Sequence, residues 1–336
     1  MIIELQSQIQ ETQLESLKAK AAELNYKVRQ VKTQYANYLV GVGKSEFDIR
    51  SIGGMEGVRD IHRVTDAYKL VSRMWKAGET RVKIDDELEI GAGDFAIMAG
   101  PCSIEGEEQI RSTVAHLAAN GIKIMRGGVY KPRSSPYSFR GLGIDGLKLW
   151  HSITREHGIR IITEVMHTEQ IEEMVDYVDI FQVGARNSQN FNLLDALGEV
   201  DKPVLLKRGI SGSLDELLQS AEYIFSHGNE RIMLCERGIR TYEKSYRNTL
   251  DLNAVPVLKA KSHLPVIVDP SHGIGVRSYV APMALAAVMA GADGVITEVH
   301  SCPEEAFSDG QQTLDYGQAE QMYRKIRAAY ELREGI

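Results

Sequence analysis

The chain has 336 residues, 43% hydrophobic and 25% charged, with 39 basic against 46 acidic side chains and a formal net charge of -7. That balance suits a soluble globular protein with room for one large domain and a small one, and argues against a general binder of nucleic acid or anionic membrane. No apolar run approaches the roughly 20 residues that span a bilayer, the N-terminus lacks a secretory signal, and Cys102, Cys235 and Cys302 are too few for a disulfide framework, so a cytoplasmic location is expected.

Residues 1–71 read as the strand MIIELQ, the helix ETQLESLKAKAAEL, the strands YKVRQVKTQ and NYLVGVG, a short helix near EFDIRSIGG and the strand VRDIHRV. This βαββαβ order predicts a small ferredoxin-like module. Residues 72–94 are read as a linker and then two short strands, TRVKI and ELEI, turned at Asp85-Asp86 and placed to cap the base of the larger domain.

From 95 to 336, short β-rich apolar runs alternate with amphipathic helical stretches, the pattern of parallel β/α units. The strands predicted are FAIMAGP, KIMRGGVY, RIITEVM, DIFQVGA, PVLLKRG, RIMLCERG, PVIVDPSH and GVITEVH. Several of the helices between them end at Gly. Eight units over this length predict an α/β fold, a closed (β/α)8 TIM barrel.

Such barrels do their chemistry at the C-terminal strand ends. Here those ends carry Cys102, Arg126 with Lys131, Glu164, Arg186, Lys207 with Arg208, Cys235 with Glu236 and Arg237, Asp269 with His272, and Glu298 with His300. In a closed barrel Arg126, Arg186, Lys207 and Arg237 converge, and four cations repel unless an anion joins them. Internal carboxylates such as Glu164 and Glu236 are one source, and a ligand bearing phosphate and carboxylate is the other. The segment GGVYKPRSSPYSFRG, Gly127 to Gly141, adds Lys131, Arg133 and Arg140 beside Ser134 and Ser135, a point charge plus a bidentate fork suited to phosphate, where the plain alternative is a solvated basic loop.

Cys102, His272 and Glu298 follow strands one, seven and eight, and Asp309 in FSDGQQ is within reach of the same point. A thiolate, an imidazole and two carboxylates suit a divalent transition metal with room for a water or substrate oxygen. Taken singly, each has a structural reading. The remaining histidines, His62, His116, His151, His157, His167, His227 and His263, are read as structural or surface groups, and Cys235 as a packed core thiol.

Taken in order, MAGPCSIE, RGGVYKPRSSPYSF, GARNSQNF, LLKRG, CERG, VDPSHG and ITEVH closely resemble the 3-deoxy-D-arabino-heptulosonate 7-phosphate synthases, over Phe95 to about Leu332. The chain is similar in particular to the short microbial subfamily whose members can carry an N-terminal ferredoxin-like regulatory domain. The resemblance implies a metal-dependent condensation of phosphoenolpyruvate with D-erythrose 4-phosphate and water, releasing phosphate, as the first step of the shikimate pathway. It assigns Arg126, Lys131, Arg186, Lys207 and Arg237 to phosphoenolpyruvate, and Arg133, Ser134 and Asp269 to erythrose 4-phosphate. It assigns Cys102, His272, Glu298 and Asp309 to one divalent metal per subunit, Mn2+ or else Fe2+, Co2+ or Zn2+. Lys131, with Glu164 and His272, is the catalytic candidate, Lys131 first for proton handling.

The resemblance also implies a homotetramer, and an aromatic amino acid, tyrosine or phenylalanine, that binds at the interface of the N-terminal module and moves it over the barrel mouth. The nearest rival is 3-deoxy-D-manno-octulosonate 8-phosphate synthase, which takes arabinose 5-phosphate and whose loop resembles K-A-N-R-S-S where this chain has K-P-R-S-S. A Schiff-base aldolase using Lys207 and an inert barrel serving as a ligand sensor are the other two readings.

Overall fold

A computed structural model describes every residue except 44, 45, 92, 94, 132–136 and 138. Its first four strands, β1 (Ile2–Leu5), β2 (Lys27–Lys32), β3 (Asn37–Val42) and β4 (Val58–His62), form an antiparallel sheet in the order β2-β3-β1-β4. The helices α1 (Glu11–Glu23) and α2 (Arg50–Gly53) belong to the same module. In α1, Leu14, Leu17 and Ala21 recur at helical spacing and bury against Ile3, Leu5 and Leu39, which strand alternation puts on one face of the sheet. The opposite face, with Ile2, Val31 and Tyr38, joins the main core.

The hairpin β5 (Val82–Lys83) and β6 (Glu89–Ile90) precedes eight parallel strands that close into a barrel: β7 (Ala96–Gly100), β8 (Ile124–Gly127), β9 (Arg160–Val165), β10 (Ile180–Val183), β11 (Val204–Lys207), β12 (Ile232–Glu236), β13 (Val266–Val268) and β14 (Gly294–Glu298). Closure is made by β14 against β7, with Gly294 opposite Ala96 and Glu298 opposite Gly100. Around the barrel lie α3 (Glu107–Ala119), α4 (Gly143–Arg155), α5 (Thr168–Met174), α6 (Phe191–Gly198), α7 (Leu214–Ser226), α8 (Ala254–Lys261), α10 (Arg277–Met289) and α11 (Tyr316–Glu334), with α9 (Pro270–Ile274) a short extra helix at the end of β13. The predicted fold class is the one observed.

Inside the barrel, Met98, Ile124, Ile162, Ile180, Leu205, Met233, Ile267 and Ile296 form an apolar floor, closed from below by Val82 and Ile90 of the hairpin. Cys235 belongs to this buried cluster, as expected of a core thiol. Two residues beyond each floor position, pleat alternation brings the next inward position. These are Gly100, Arg126, Glu164, Gln182, Lys207, Asp269 and Glu298, with Arg237 two beyond Cys235. One register step therefore separates a greasy plug from an ionic ring. Gly100 must lack a side chain, because a Cβ there would lie 2.0 Å from the Arg126 carbonyl oxygen.

The N-terminal module rests against the base of the barrel, at the opposite end from that ring. Its β2–β3 turn meets the loop before β12, where Thr33 Oγ1 donates to Glu230 Oε1 (2.5 Å) and Glu230 N donates to Gln34 Oε1 (3.2 Å). Tyr38 packs edge-on to Trp75 and Phe225, at 5.4 and 6.3 Å between ring centroids. The connecting segment is pinned by Glu222, which accepts from Leu70 N and Val71 N, and by His263, whose ring nitrogens meet Thr80 Oγ1 (2.7 Å) and Leu70 O (2.8 Å).

Burial holds the His263 imidazole neutral, lowering its pKa to about 3. An unfolded histidine titrates near 6.5, so below that pH the unfolded chain takes up a proton that the folded chain refuses. Stability contributed at this site is therefore present above about pH 6.5 and lost as the pH falls toward 3, by up to about 1.4 kcal/mol per unit. Urea unfolding measured from about pH 6.5 to 4.5 is expected to cost the wild type about 2–3 kcal/mol more than it costs His263→Gln.

Candidate active site

At the C-terminal end of the barrel lies a cavity of about 260 Å³ whose lining includes Arg126, Lys131, Arg186, Lys207, Arg237, Arg240 and Arg247, against the carboxylates of Glu164 and Asp309. Seven cations facing two carboxylates, in a chain of net charge -7, mark a receptor for anions. Four of the cations have partners. Arg126 Nη1 donates to Glu298 Oε1 (2.9 Å), Lys207 Nζ to Asp269 Oδ2 (2.5 Å) and Arg247 Nη1 to Asp309 Oδ1 (3.2 Å). Lys131 Nζ donates to the sulfur and the carbonyl of Cys102, at 3.0 and 2.9 Å.

Among the described residues, Arg186, Arg237 and Arg240 have no carboxylate partner. Arg237 is buried, donating only a long 3.4 Å bond to Gly238 O, and desolvation lowers its pKa. Arg126 keeps a buried Nε with no acceptor. Buried guanidinium donors left open in this way ask for oxygens from a ligand.

Beside these cations is a cluster of metal-binding type. Single donor atoms of Cys102, Glu298 and Asp309 lie within 4.8 Å of one another. His272 Nε2 stands 3.3 Å from Glu298 Oε1. Cys102 Sγ donates to Asp309 Oδ2 at 3.2 Å, and Gln312 Nε2 holds the other Glu298 oxygen at 2.9 Å. Burial, aided by Glu298, pushes the Cys102 thiol up to about 12, and Lys131 only partly offsets this. Burial also works to raise Glu298, but His272 and Arg126 outweigh it and hold the carboxyl below its usual range. A thiol and two carboxylates pressed together with an imidazole fit a divalent transition metal, which would neutralise them.

The His272 ring is aimed by Asp269, which accepts from its Nδ1 (2.8 Å) and, as the cap of α9, from its backbone N (2.9 Å). An ionised carboxylate only accepts, so Nδ1 carries a proton toward Asp269, while Nε2 faces the cluster. Although Asp269 is buried, His272 and Lys207 hold it well below the usual carboxylate range.

The cations and metal-type ligands expected from sequence are thus brought together, but three placements differ. Asp269, expected beside sugar hydroxyls, is 1% exposed and absent from the cavity lining, its carboxylate occupied by Lys207 and His272. Arg208 and Glu236 point away from the barrel interior, Arg208 Nη1 pairing with Glu236 (2.8 Å) and Asp251 (3.0 Å). His300 turns aside to Glu105, 3.5 Å from Nε2. Arg133 and Ser134 lie outside the described residues.

Sequence reading missed Gln182, Arg240 and Arg247. Gln182 had a signal, since it stands two residues past the inward Ile180. Arg247 had none, because it reaches the cavity only through the loop returning after β12, where Ile239 bridges Thr249.

The sequence model of the DAHP synthetase I family matches residues 79–333. Phospho-2-dehydro-3-deoxyheptonate aldolase of Thermotoga maritima is 47% identical over 273 residues, 81% of this chain and 80% of its own. A crystal structure of phospho-2-dehydro-3-deoxyheptonate aldolase (DAHP synthase) from the same organism matches with a TM-score of 0.79 at 41% identity, covering 98% of this chain and 97% of that one. By comparison, 2-dehydro-3-deoxyphosphooctonate aldolase of Acidithiobacillus ferrooxidans is 32% identical over 255 residues, 69% of this chain and 88% of its own.

Arg237→Met removes a buried charge that has no carboxylate partner, so the variant is expected to melt a few degrees higher, about 2–4 °C. Its affinity for inorganic phosphate, read by calorimetry, is expected to fall at least about tenfold.

Proposed function

The chain belongs to the DAHP synthetase I family, and on that premise we propose how its residues divide the work. The reaction is the condensation of phosphoenolpyruvate with D-erythrose 4-phosphate and water to 3-deoxy-D-arabino-heptulosonate 7-phosphate and phosphate, the activity of a 3-deoxy-7-phosphoheptulonate synthase, first in the shikimate pathway. The observation that carries the site reading is that Arg126, with its unpaired Nε, and Arg237, with no carboxylate partner among the described residues, line the same cavity as Asp309, which clusters with Cys102 and Glu298.

Phosphoenolpyruvate brings a phosphate and a carboxylate, and Arg126, Lys131, Arg186, Lys207 and Arg237 receive them. With both anionic ends fixed, C3 is presented to the aldehyde carbon C1 of erythrose 4-phosphate, whose phosphate is assigned to Arg133 and Ser134. Much of the rate comes from cations set in place beforehand. Cys102, His272, Glu298 and Asp309 would hold one divalent metal, Mn2+ or else Fe2+, Co2+ or Zn2+, which when bound supplies Lewis-acid polarisation of the aldehyde oxygen.

Lys131, whose Nζ lies 3.0 Å from Cys102 Sγ, is the first candidate to give that oxygen a proton once the carbon–carbon bond forms. Glu164 is the second candidate for proton transfer; it lines the same cavity and is packed over Gly184, where a Cβ would lie 2.0 Å from its Oε1. Water adds at C2, and the hemiketal phosphate collapses with cleavage of the carbon–oxygen bond.

The N-terminal module is proposed to be regulatory. Tyrosine or phenylalanine binds at its interface and moves it over the mouth, within a homotetramer. From its place against the base, that movement first parts Thr33 from Glu230 and Tyr38 from Phe225. The arabinose 5-phosphate reading is the second one, supported by the 32% identical octulosonate relative and outweighed by the 47% identical heptonate one.

Phosphate release by the purified protein tests these points together. Turnover with erythrose 4-phosphate is expected to exceed that with arabinose 5-phosphate by at least about 100-fold, and the reverse preference overturns the reading. Chelation is expected to abolish turnover and Mn2+ to restore it. Deleting residues 1–73 is expected to keep turnover while removing inhibition by tyrosine or phenylalanine, and inhibition that survives the deletion refutes the regulatory role.

A further inference from the structure

Around the mouth, each proposed metal ligand is tied to a cation. Glu298 holds Arg126, Cys102 receives Lys131 and Asp309 meets Arg247. For His272 the tie is indirect. Asp269 Oδ2 accepts from His272 Nδ1 at 2.8 Å and from Lys207 Nζ at 2.5 Å, so a single carboxylate oxygen serves both. Asp269 belongs neither to the metal-type cluster nor to the cavity lining, and it is almost wholly buried. It touches neither ligand, yet it touches one residue from each site.

We propose that Asp269 is a positioning residue that couples divalent-metal binding to phosphoenolpyruvate binding. The inference rests on the roles given above to His272 and Lys207. One oxygen divides its negative charge between two donors, and a carboxylate on the far ring nitrogen raises the basicity of a ligating imidazole. When Lys207 turns toward a substrate anion, more of that charge falls on His272 Nδ1–H, and Nε2 becomes the better ligand. A metal on Nε2 makes Nδ1–H the stronger donor, takes up more of the charge on Asp269 Oδ2 and so weakens its hold on Lys207, freeing it for the substrate. Each ligand thus favours the other, as reciprocity requires of two sites joined by one coupling free energy.

The local backbone keeps this arrangement stiff. Asp269 caps α9 through its other oxygen, Oδ1, and its own N donates to Glu236 O at 2.8 Å. Asp269 cannot move with one partner away from the other without uncapping the helix. Attraction through space between a dication and a phosphate has the same sign. The share belonging to Asp269 is the part that vanishes when its charge is removed and its shape kept.

Calorimetric titration of the full-length protein with Mn2+, with and without saturating phosphoenolpyruvate and with no aldose phosphate, measures the coupling. The wild type is expected to bind Mn2+ at least about tenfold tighter when phosphoenolpyruvate is present. In Asp269→Asn, Mn2+ is expected to bind about 10–100-fold more weakly, and the gain from phosphoenolpyruvate to fall below about threefold. Lys207→Met leaves Asp269 to His272 alone, and is expected to tighten Mn2+ while weakening phosphoenolpyruvate, a split that general damage to the fold does not produce.

An undiminished gain in Asp269→Asn, or a wild type with no gain, overturns the coupling while leaving the functional reading intact. Weakened Mn2+ in Lys207→Met overturns it without reliance on the first variant. A wild type that binds no phosphoenolpyruvate at all refutes the functional reading, and the coupling with it.

Discussion

A barrel strand offers the interior only every second residue, and the chemistry at the mouth of this barrel depends on that constraint. Along β8 the inward pair is Ile124 then Arg126, along β11 Leu205 then Lys207, and along β14 Ile296 then Glu298. The first member of each pair seals the core and the second stands at the mouth end. On these three strands nothing lies between the two, so the ionic groups stand directly on hydrocarbon, where charges are weakly screened and their mutual interactions are strong.

That position explains how the site balances attraction against cost. Breaking one buried ion pair by removing a partner costs about 3–5 kcal/mol, and the pairs of Arg126 with Glu298 and of Lys207 with Asp269 are both almost wholly buried. They fix the geometry. Arg237 stands apart from them, buried and, among the described residues, without a carboxylate partner, so its desolvation is left uncompensated. Paired and unpaired charges thus fall to different residues of one ring.

Much of this was legible in the sequence. The alternation of strand and helix pointed to the barrel, and the strand-end positions pointed to Arg126, Lys207, Cys102, His272 and Glu298, because a parallel barrel leaves little doubt about which end is which. What eluded it was side-chain direction and long-range return. Arg208 and Glu236 sit one residue out of phase with the inward set, and so pair behind the wall instead of in the cavity. Asp269 is in phase but almost wholly buried, with its carboxylate taken up by Lys207 and His272. Arg247 arrives from a loop whose path is fixed by contacts such as Arg247 N with Ile274 O, which no local pattern announces.

The hairpin that plugs the base sets the traffic of the molecule. Val82 and Ile90 are fully buried against the barrel floor, so small molecules come and go by the mouth. Two substrates, a water and two products then share one doorway, and whatever leaves last holds up what enters next. On the division of the site proposed above, departing phosphate meets the same guanidinium groups that receive phosphoenolpyruvate, which makes the product a natural rival of the incoming substrate.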